Sequence, residues 1–519
     1  MEFTGLHSTS LRNNEPSLFD SPAERYVKAR QSVQRFTLVQ LGKCGSDTES
    51  DSRGCTGLAI FSKENSNKYV VHSYNFFLFP STLGIRDVEF TFSASSIQFL
   101  SHYGFDFNKF LKDGIPYMNE VQEKILKQHL LAGTWKVCST SCADRDVLKK
   151  AIDEVTSWIT AAKEEDTMIL QDLNGYHMLE VQLVLRQALE NVWTEPLGDK
   201  KVMVKKVSLG QRQLLENSSY DHCQKKLILL SARGFTNLFQ ILVKAKKPLV
   251  GHNMLMDLMH LHDKFYRPLP ESYEEFKRNI HNLFPVIIDT KTVTKSVQKK
   301  CLFPRVSSLL EVYAVLCSNL NPKGPPCPVI ALASGCSRYA EKKSPHEAGY
   351  DAFLCGSVLL MSAHLLLCRS TDGAVDAEPS FSQYLTVLAE HVNKVNFIRG
   401  GVSSINFSGA DAPCRHPPAL VVHVRGWPGL TERQIYQEFK ARCRFDVRRL
   451  SKNQFILLSN KHKHSWMEIP TLSCGVLQAA CGLSSSRAFI AVSGSSCGIT
   501  GTTLTCRSPS IAAGGTHRA

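Results

Sequence analysis

The sequence predicts an α/β fold, interrupted by a small inserted α+β module and followed by a C-terminal α+β domain. Three observations carry this. Short apolar runs such as Pro248-Leu249-Val250 and Phe284 to Ile288 alternate with segments of helical period, the signature of helices layered on a sheet. Between about Asp144 and Gln224 the alternation changes character, and it resumes at Thr236. After Ser370 a polar linker runs to about Ser380, and a third pattern begins. At 519 residues the chain exceeds one ordinary core, so two to three domains are expected.

Composition narrows the function classes. A hydrophobic share of 43% with 21% charged residues describes a globular chain rather than a disordered one. The formal net charge of +14 suits a polyanionic partner, of which nucleic acid is the commonest, although an anionic membrane surface fits charge alone. The 17 cysteines are scattered, with no repeated CxxC pair of zinc-finger spacing. Met1 to Leu6 has no charged n-region and no long apolar run, so reduced thiols in an intracellular compartment are expected. Ala352 to Cys368 is uncharged and 17 residues long, at the lower edge of spanning length. Because it follows an acidic motif directly, a buried core helix is expected.

In chain order, Glu2-Phe3-Thr4-Gly5-Leu6 reads as the end of a strand. Ser21 caps a helix that has Pro22 at its first position and Glu24 closing a capping box, and that runs to about Gln34. Phe36 to Leu41 reads as a strand and Gly45 to Gly54 as a polar loop. Tyr69 to His72 and Phe76 to Phe79 are a strand pair or one bent strand ended by Pro80. Helices are expected at Ser95 to Leu100 and Val121 to Leu131. In the insert, Val147 to Ala162 and Leu179 to Leu189 are helical, and Lys200 to Val207 is a basic strand. Its lysines form either a nucleic-acid patch or a solvated face.

Thr236 to Val243 then begins a helix ahead of the buried strand Pro248 to Val250. The next helix is expected to place Asn253 and Asp257 four residues apart on one face. Ser307 to Val315 is helical, and Asn319 to Pro345 reads as a long loop of the kind that forms lids. Tyr384 to Val395 is expected as a helix. Ala419 to Val424, Thr431 to Cys443, Phe445 to Arg449 and Phe455 to Leu458 read as strand, helix, strand, strand. That is most of an RNA-recognition-type (RRM-like) βαββ half without its base-stacking aromatics. From about Ser465 the residues Ser, Gly, Thr, Ala and Cys dominate, and a low-order tail is expected.

Three acids stand in similar settings. Glu2 ends a strand, Asp257 lies in a helix after a strand, and Asp351 begins the helix that follows His346-Glu347-Ala348-Gly349-Tyr350. Alone, a histidine and an aspartate beside a buried helix more often form a structural hydrogen-bond pair. Together, three acids at strand ends and helix starts fit one cleft of an α/β sheet. Acids so gathered repel unless metal neutralises them. Two Mg²⁺ ions about 4 Å apart would do so and would activate water for attack on a phosphodiester, with a histidine as general base.

With these residues in view, the chain resembles the poly(A)-specific ribonuclease branch of the DEDD 3′→5′ exonucleases over most of residues 2 to 370. The carrying segments are Glu2 to Leu6, Gly104 to Lys109 with Gly114 to Tyr117, Gly251 to His260, and His346 to Asp351. The resemblance implies a ribonuclease-H-like fold, two divalent metals (Mg²⁺), Glu2, Asp257 and Asp351 as ligands, and His346 as the base. It implies that Asn253 orients the Asp257 helix and that His252 is structural. The expected domains are 1–143 and 236–370 for the nuclease, 144–235 for the insert, 381–464 for the partial RRM-like domain and 465–519 for the tail.

The implied reaction is removal of nucleotides from single-stranded RNA 3′ ends, either small-RNA (piRNA) precursors or poly(A) tails. An RNA-presenting partner protein and a homodimer are further expectations. The alternatives are a catalytically silent RNA-binding scaffold and a DNA exonuclease. Three departures from the family pattern stand out. The family's first motif is Asp-x-Glu, and Met1 occupies its x position, so an impaired form is expected. The insert lacks an Arg-x-x-x-His signature, because Glu190 stands four residues after Arg186. The resemblance implies a C-terminal membrane anchor and attachment to the endoplasmic reticulum or mitochondrial surface for the parent protein. The Ser/Gly/Cys tail does not read as an anchor, and a cytoplasmic location is expected for this chain.

Overall fold

The computed structural model describes residues 16–35, 56–65, 67–81, 90, 92, 94–132, 142–173, 175–198, 200–216, 218–301, 303–319, 327–341, 344, 347–371, 379–414, 419–425, 431–440, 445–459 and 489–495. The expected strands at 2–6 and 36–41 and the loop at 45–54 lie outside them. The chain divides into two compact units. The larger holds residues 27–396 and 406–409, and the smaller holds 12–26, 397–405 and 410–519, with residues 1–11 grouped with the larger.

The larger unit is built around the helix Ala348–Ser370. Its residues are uncharged over most of its length, and it buries nearly every side chain. It is long and apolar enough to cross a membrane, yet 89% of its apolar window is buried inside the protein. It is therefore a core helix, as its place after an acidic motif predicts. Around it gather Tyr69, Val71, Ile288, Val293, Val312, Leu316 and Tyr384. Burying this much apolar surface on one helix stabilises the unit.

A three-stranded sheet lies against that helix. The strand Thr56–Asn65, absent from the sequence reading, pairs antiparallel with Lys68–Phe76, which in turn pairs parallel with Val329–Leu332. The last strand falls inside the stretch expected as one long loop, as does the short helix Arg338–Glu341. Four residues, Val329 to Leu332, are too short a run to stand out against the surrounding Pro, Gly and Ser. The approach of sheet to helix is close. A Cβ on Gly57 would lie 2.0 Å from the Ala348 carbonyl oxygen, and one on Gly356 would lie 2.1 Å from the Phe61 ring. A second pair of strands, Leu249–Gly251 and Ile287–Asp289, runs parallel. The expected helix at 384–395 is instead the helix Phe381–Val387, a 3₁₀ turn and the strand Lys394–Asn396. Tyr384 belongs to the larger unit's core rather than to the C-terminal domain.

The insert has its own core. The helices Cys142–Ala161 and Gly175–Ala188 pack Leu148, Val155, Val181 and Leu185 onto Val192, Val202 and Val204 of an antiparallel sheet. That core ends before residue 235. The helix Ser219–Arg233 instead packs Ile228 and Ala232 against Met118, Leu126 and Leu130. Arg186 does not reach outward. Its guanidinium stacks 3.7 Å over Trp193 and its Nε donates to Thr194 Oγ1 at 2.8 Å.

In the smaller unit, the strands Ala419–Arg425, Asp446–Ser451, Gln454–Leu458 and Phe489–Ser495 form one antiparallel sheet. Spatially the order is 446–451, 454–458, 419–425, 489–495. The last strand lies in the stretch expected as a low-order tail. Its Phe489-Ile490-Ala491-Val492 run is β-favouring, but the serines and glycines around it mask the signal. Buried Asp20 and Arg25 pair at 2.8 Å, and Arg25 also donates to the Ile398 carbonyl at 2.8 Å.

Candidate active site

Asp257 sits in the helix Leu255–Leu261, which leaves the strand Leu249–Gly251 through a three-residue turn. Asp351 sits in the first turn of Ala348–Ser370, as predicted. Both carboxylates are buried, at 4% and 3% exposure, where charged side chains are rare without a partner. Glu2 and His346 lie outside the described residues. Among the described residues, no three of His, Cys, Asp or Glu gather in a metal-holding group. The two acids offer only oxygen donors at helix starts, which suits a hard dication.

The turn between strand and helix is set by Asp289, the last residue of the neighbouring strand Ile287–Asp289. Asp289 is fully buried, and its carboxylate accepts four backbone N–H groups. Asn253 donates at 2.8 Å, Met254 at 3.2 Å, Lys291 at 2.9 Å and Asn396 at 2.9 Å. Burial pushes this carboxyl's pKa up, and the four donors pull it back. Asp289 also caps the helix Thr290–Lys300. Asn253 is not in the Asp257 helix. It stands before it at φ +61°, and its side chain accepts from Asn396 Nδ2 at 2.9 Å. Asn253 thus belongs to the turn that leads into the helix, not to the helix face.

The Asp351 helix is fixed at its start by a second network. Glu347, its N-terminal flanking residue, accepts from Tyr339 Oη at 2.8 Å and from Asn75 Nδ2 at 2.8 Å. The Asn75 Oδ1 accepts the Gly349 N–H at 2.8 Å, and Asn75 Nδ2 also meets Tyr339 Oη at 2.6 Å. Arg338 pairs with the same carboxylate. Burial pushes the Tyr339 hydroxyl's pKa well up, so it remains a donor at neutral pH. No local pattern announces this clasp, because its members lie on a strand, a short helix and a helix start far apart in sequence.

The two acid-bearing helices are not independent. The Asp351 helix packs against the strand Leu249–Gly251 that launches the Asp257 turn. Thr290 stands at that crossing, with its hydroxyl 3.0 Å from the Gly251 carbonyl and 3.8 Å from Cys355 Sγ.

With this geometry in place, the family follows from comparison. A model of the CAF1 family ribonucleases matches residues 1–359. The chain belongs to the CAF1 ribonuclease family. It is similar to the poly(A)-specific ribonuclease PNLDC1 of Mus musculus, at 54% identity over 95% of this chain and 93% of the relative. The Homo sapiens protein of the same name is 52% identical over 95% of each. The pre-piRNA 3′-exonuclease trimmer of Bombyx mori is 30% identical over 79% of this chain and 74% of the relative. As a CAF1 ribonuclease of this kind, the chain is a 3′→5′ exoribonuclease with a ribonuclease-H-like domain. The matched span holds Asp257 and Asp351, together with the Asp289 hub and the Glu347 clasp that place them.

Proposed function

We propose that this exoribonuclease depends on a divalent metal, Mg²⁺ by the chemistry of its donors, and trims the single-stranded 3′ ends of small-RNA precursors or poly(A) tails. The observation that carries the reading is the pair of buried carboxylates, Asp257 on the helix that follows the strand Leu249–Gly251 and Asp351 on the helix packed against that strand. Relatives named for trimming pre-piRNA 3′ ends and for poly(A) specificity support the substrate class.

Asp257 and Asp351 would hold the metal, with Glu2 as a further ligand from outside the described residues. When bound, two such ions supply Lewis acidity and neutralise charge at the scissile phosphate. The protein's part is to hold two buried acids immobile, so that little reorganisation is needed as charge develops. His346, one residue before the clasped Glu347, is assigned the water-activating base. The basic net charge draws the RNA backbone. The four-stranded sheet of the smaller unit, with a helix between its strands 419–425 and 446–451, supports an RRM-like reading of that unit.

The test is a 3′-end assay on single-stranded RNA. Shortening of a 5′-labelled oligomer with a free 3′-hydroxyl, abolished by chelation and by Asp351→Asn, is the expected result. RNA binding without shortening, unchanged by Asp351→Asn, would leave a silent RNA-binding protein instead.

A further inference from the structure

The Thr290 side chain is completely buried, and its hydroxyl meets three groups on two other segments. It lies 3.0 Å from the Gly251 carbonyl, 2.9 Å from His252 Nδ1 and 3.8 Å from Cys355 Sγ. A hydroxyl has one proton to give and two lone pairs to receive with. The Gly251 carbonyl only accepts, so that proton goes there. His252 Nδ1 and the Cys355 thiol then both donate into the oxygen. The inventory closes with nothing left over, and it assigns His252 the form protonated at Nδ1.

The two segments are those that matter to the acids. Gly251 and His252 form the exit of the strand that launches the Asp257 helix. Cys355 is one turn beyond Asp351 on the same helix, so both project from one face. We propose that Thr290 is a positioning residue, whose hydroxyl sets the spacing between the Asp257 turn and the Asp351 helix. This rests on the metal-dependent reading above. A methyl in place of the hydroxyl preserves volume and leaves two donors and one carbonyl without their shared partner. The segments then relax apart, and the Asp257 turn and the Asp351 helix lose their fixed spacing.

The test compares Thr290→Val, Thr290→Ser and the parent chain, with Mn²⁺ as the probe, followed by the loss of free-ion paramagnetic resonance signal. Melting without metal shows that each variant is folded. Thr290→Val is expected to weaken Mn²⁺ binding by about tenfold, in the range typical when a ligand's supporting partner is lost. Thr290→Ser, which keeps the hydroxyl, is expected to bind like the parent. Parent-like binding by folded Thr290→Val overturns the proposal, and so does a serine variant as weak as the valine one. If Thr290→Val does not fold, Cys355→Ala carries the test. It is expected to weaken binding measurably, and unchanged binding overturns the proposal. Equal Mn²⁺ uptake by the parent and Asp351→Asn strikes the metal reading itself, and the proposal falls with it.

Discussion

The Asp289 carboxylate accepts the backbone N–H of Asn253 at 2.8 Å, and so holds a residue with φ +61° at the start of the Asp257 turn. One buried acid thereby fixes both the capped helix that follows it and the turn that leads to a predicted metal ligand. The conformation of Asn253 and the hydrogen bonding of Asp289 are two sides of one constraint.

Substitutions at this pair should therefore separate in a set order. Asp289→Ala orphans buried N–H groups on three segments, each worth about 1–3 kcal/mol, and is expected to cost about 4 kcal/mol or more. Asn253→Gly keeps the left-handed backbone and loses only the bond to Asn396, so a cost of about 1 kcal/mol is expected. Asn253→Val adds a β-branched side chain at positive φ and should cost more than glycine by about 1–2 kcal/mol. Urea unfolding of the three variants checks the order. A valine variant as stable as the glycine one would show that the turn is not held in the left-handed region.

Two glycines against the central helix should respond differently to the same added methyl. At Gly57 the Cβ would meet the Ala348 carbonyl, which is backbone at the start of the Asp351 helix. At Gly356 it would meet the edge of the Phe61 ring, a side chain able to turn aside. Gly57→Ala is thus expected to destabilise by about 3 kcal/mol and to lower activity, because it displaces the helix start itself. Gly356→Ala should cost about 1–2 kcal/mol with activity largely kept. Denaturation midpoints and initial rates on 3′-hydroxyl RNA separate the two.

What the sequence made legible follows physical range. The Asp351 helix was readable because its apolar run is long and its acid falls in the first turn. The helix at Pro22–Arg35 was readable because Ser21 and Glu24 form a local capping box, with Glu24 N–H to Ser21 Oγ at 3.2 Å and Ser21 N–H to Glu24 Oε2 at 2.8 Å. The Asp289 hub and the Thr290 crossing were not readable, since all their partners but Lys291 lie about forty to over a hundred residues away and no local period marks them. The spacing of Asn253 from Asp257 fits a helix. Only the backbone reveals the left-handed turn. The strand at 489–495 was hidden because its pairing partner, 419–425, lies about seventy residues earlier, and pairing rather than composition makes it a strand.

Acid sensitivity should carry a histidine component. His262 is buried, and burial lowers its pKa. Its Nδ1 donates to the Arg267 carbonyl at 2.8 Å, while its Nε2 accepts from Asn279 Nδ2 at 3.1 Å. His391 is lowered for the same reason. A histidine lowered in the folded chain is protonated first in the unfolded chain, so the unfolded state binds more protons in that window. Stability is therefore full above about pH 6.5 and falls as pH drops from there toward the folded values. His262→Asn is expected to lower stability at pH 8 but to flatten the slope below pH about 6.5, leaving the His391 share. Unfolding free energies across that range test the sign. An unchanged slope would mean that His262 is not held neutral by the fold.

The clasp at the start of the Asp351 helix should show itself in turnover rather than in substrate binding. Tyr339 Oη donates to Glu347 and accepts from Asn75 and, at 2.9 Å, from Arg338. Tyr339→Phe removes all three bonds with little change in volume. Glu347 keeps Asn75 and Arg338 as partners, so the fold is expected to survive at a cost of about 1–2 kcal/mol. Glu347 follows the assigned base directly and stands four residues before Asp351. A loosened carboxylate there shifts both by a fraction of an ångström, and misplacement on that scale is costly to an in-line reaction. The expectation is a fall in kcat of about tenfold with KM little changed. Steady-state kinetics on a labelled RNA oligomer, set beside urea unfolding of the same variant, distinguish the outcomes. A loss of stability with kcat intact would make the clasp a fastening of the fold alone, with no part in placing the acid.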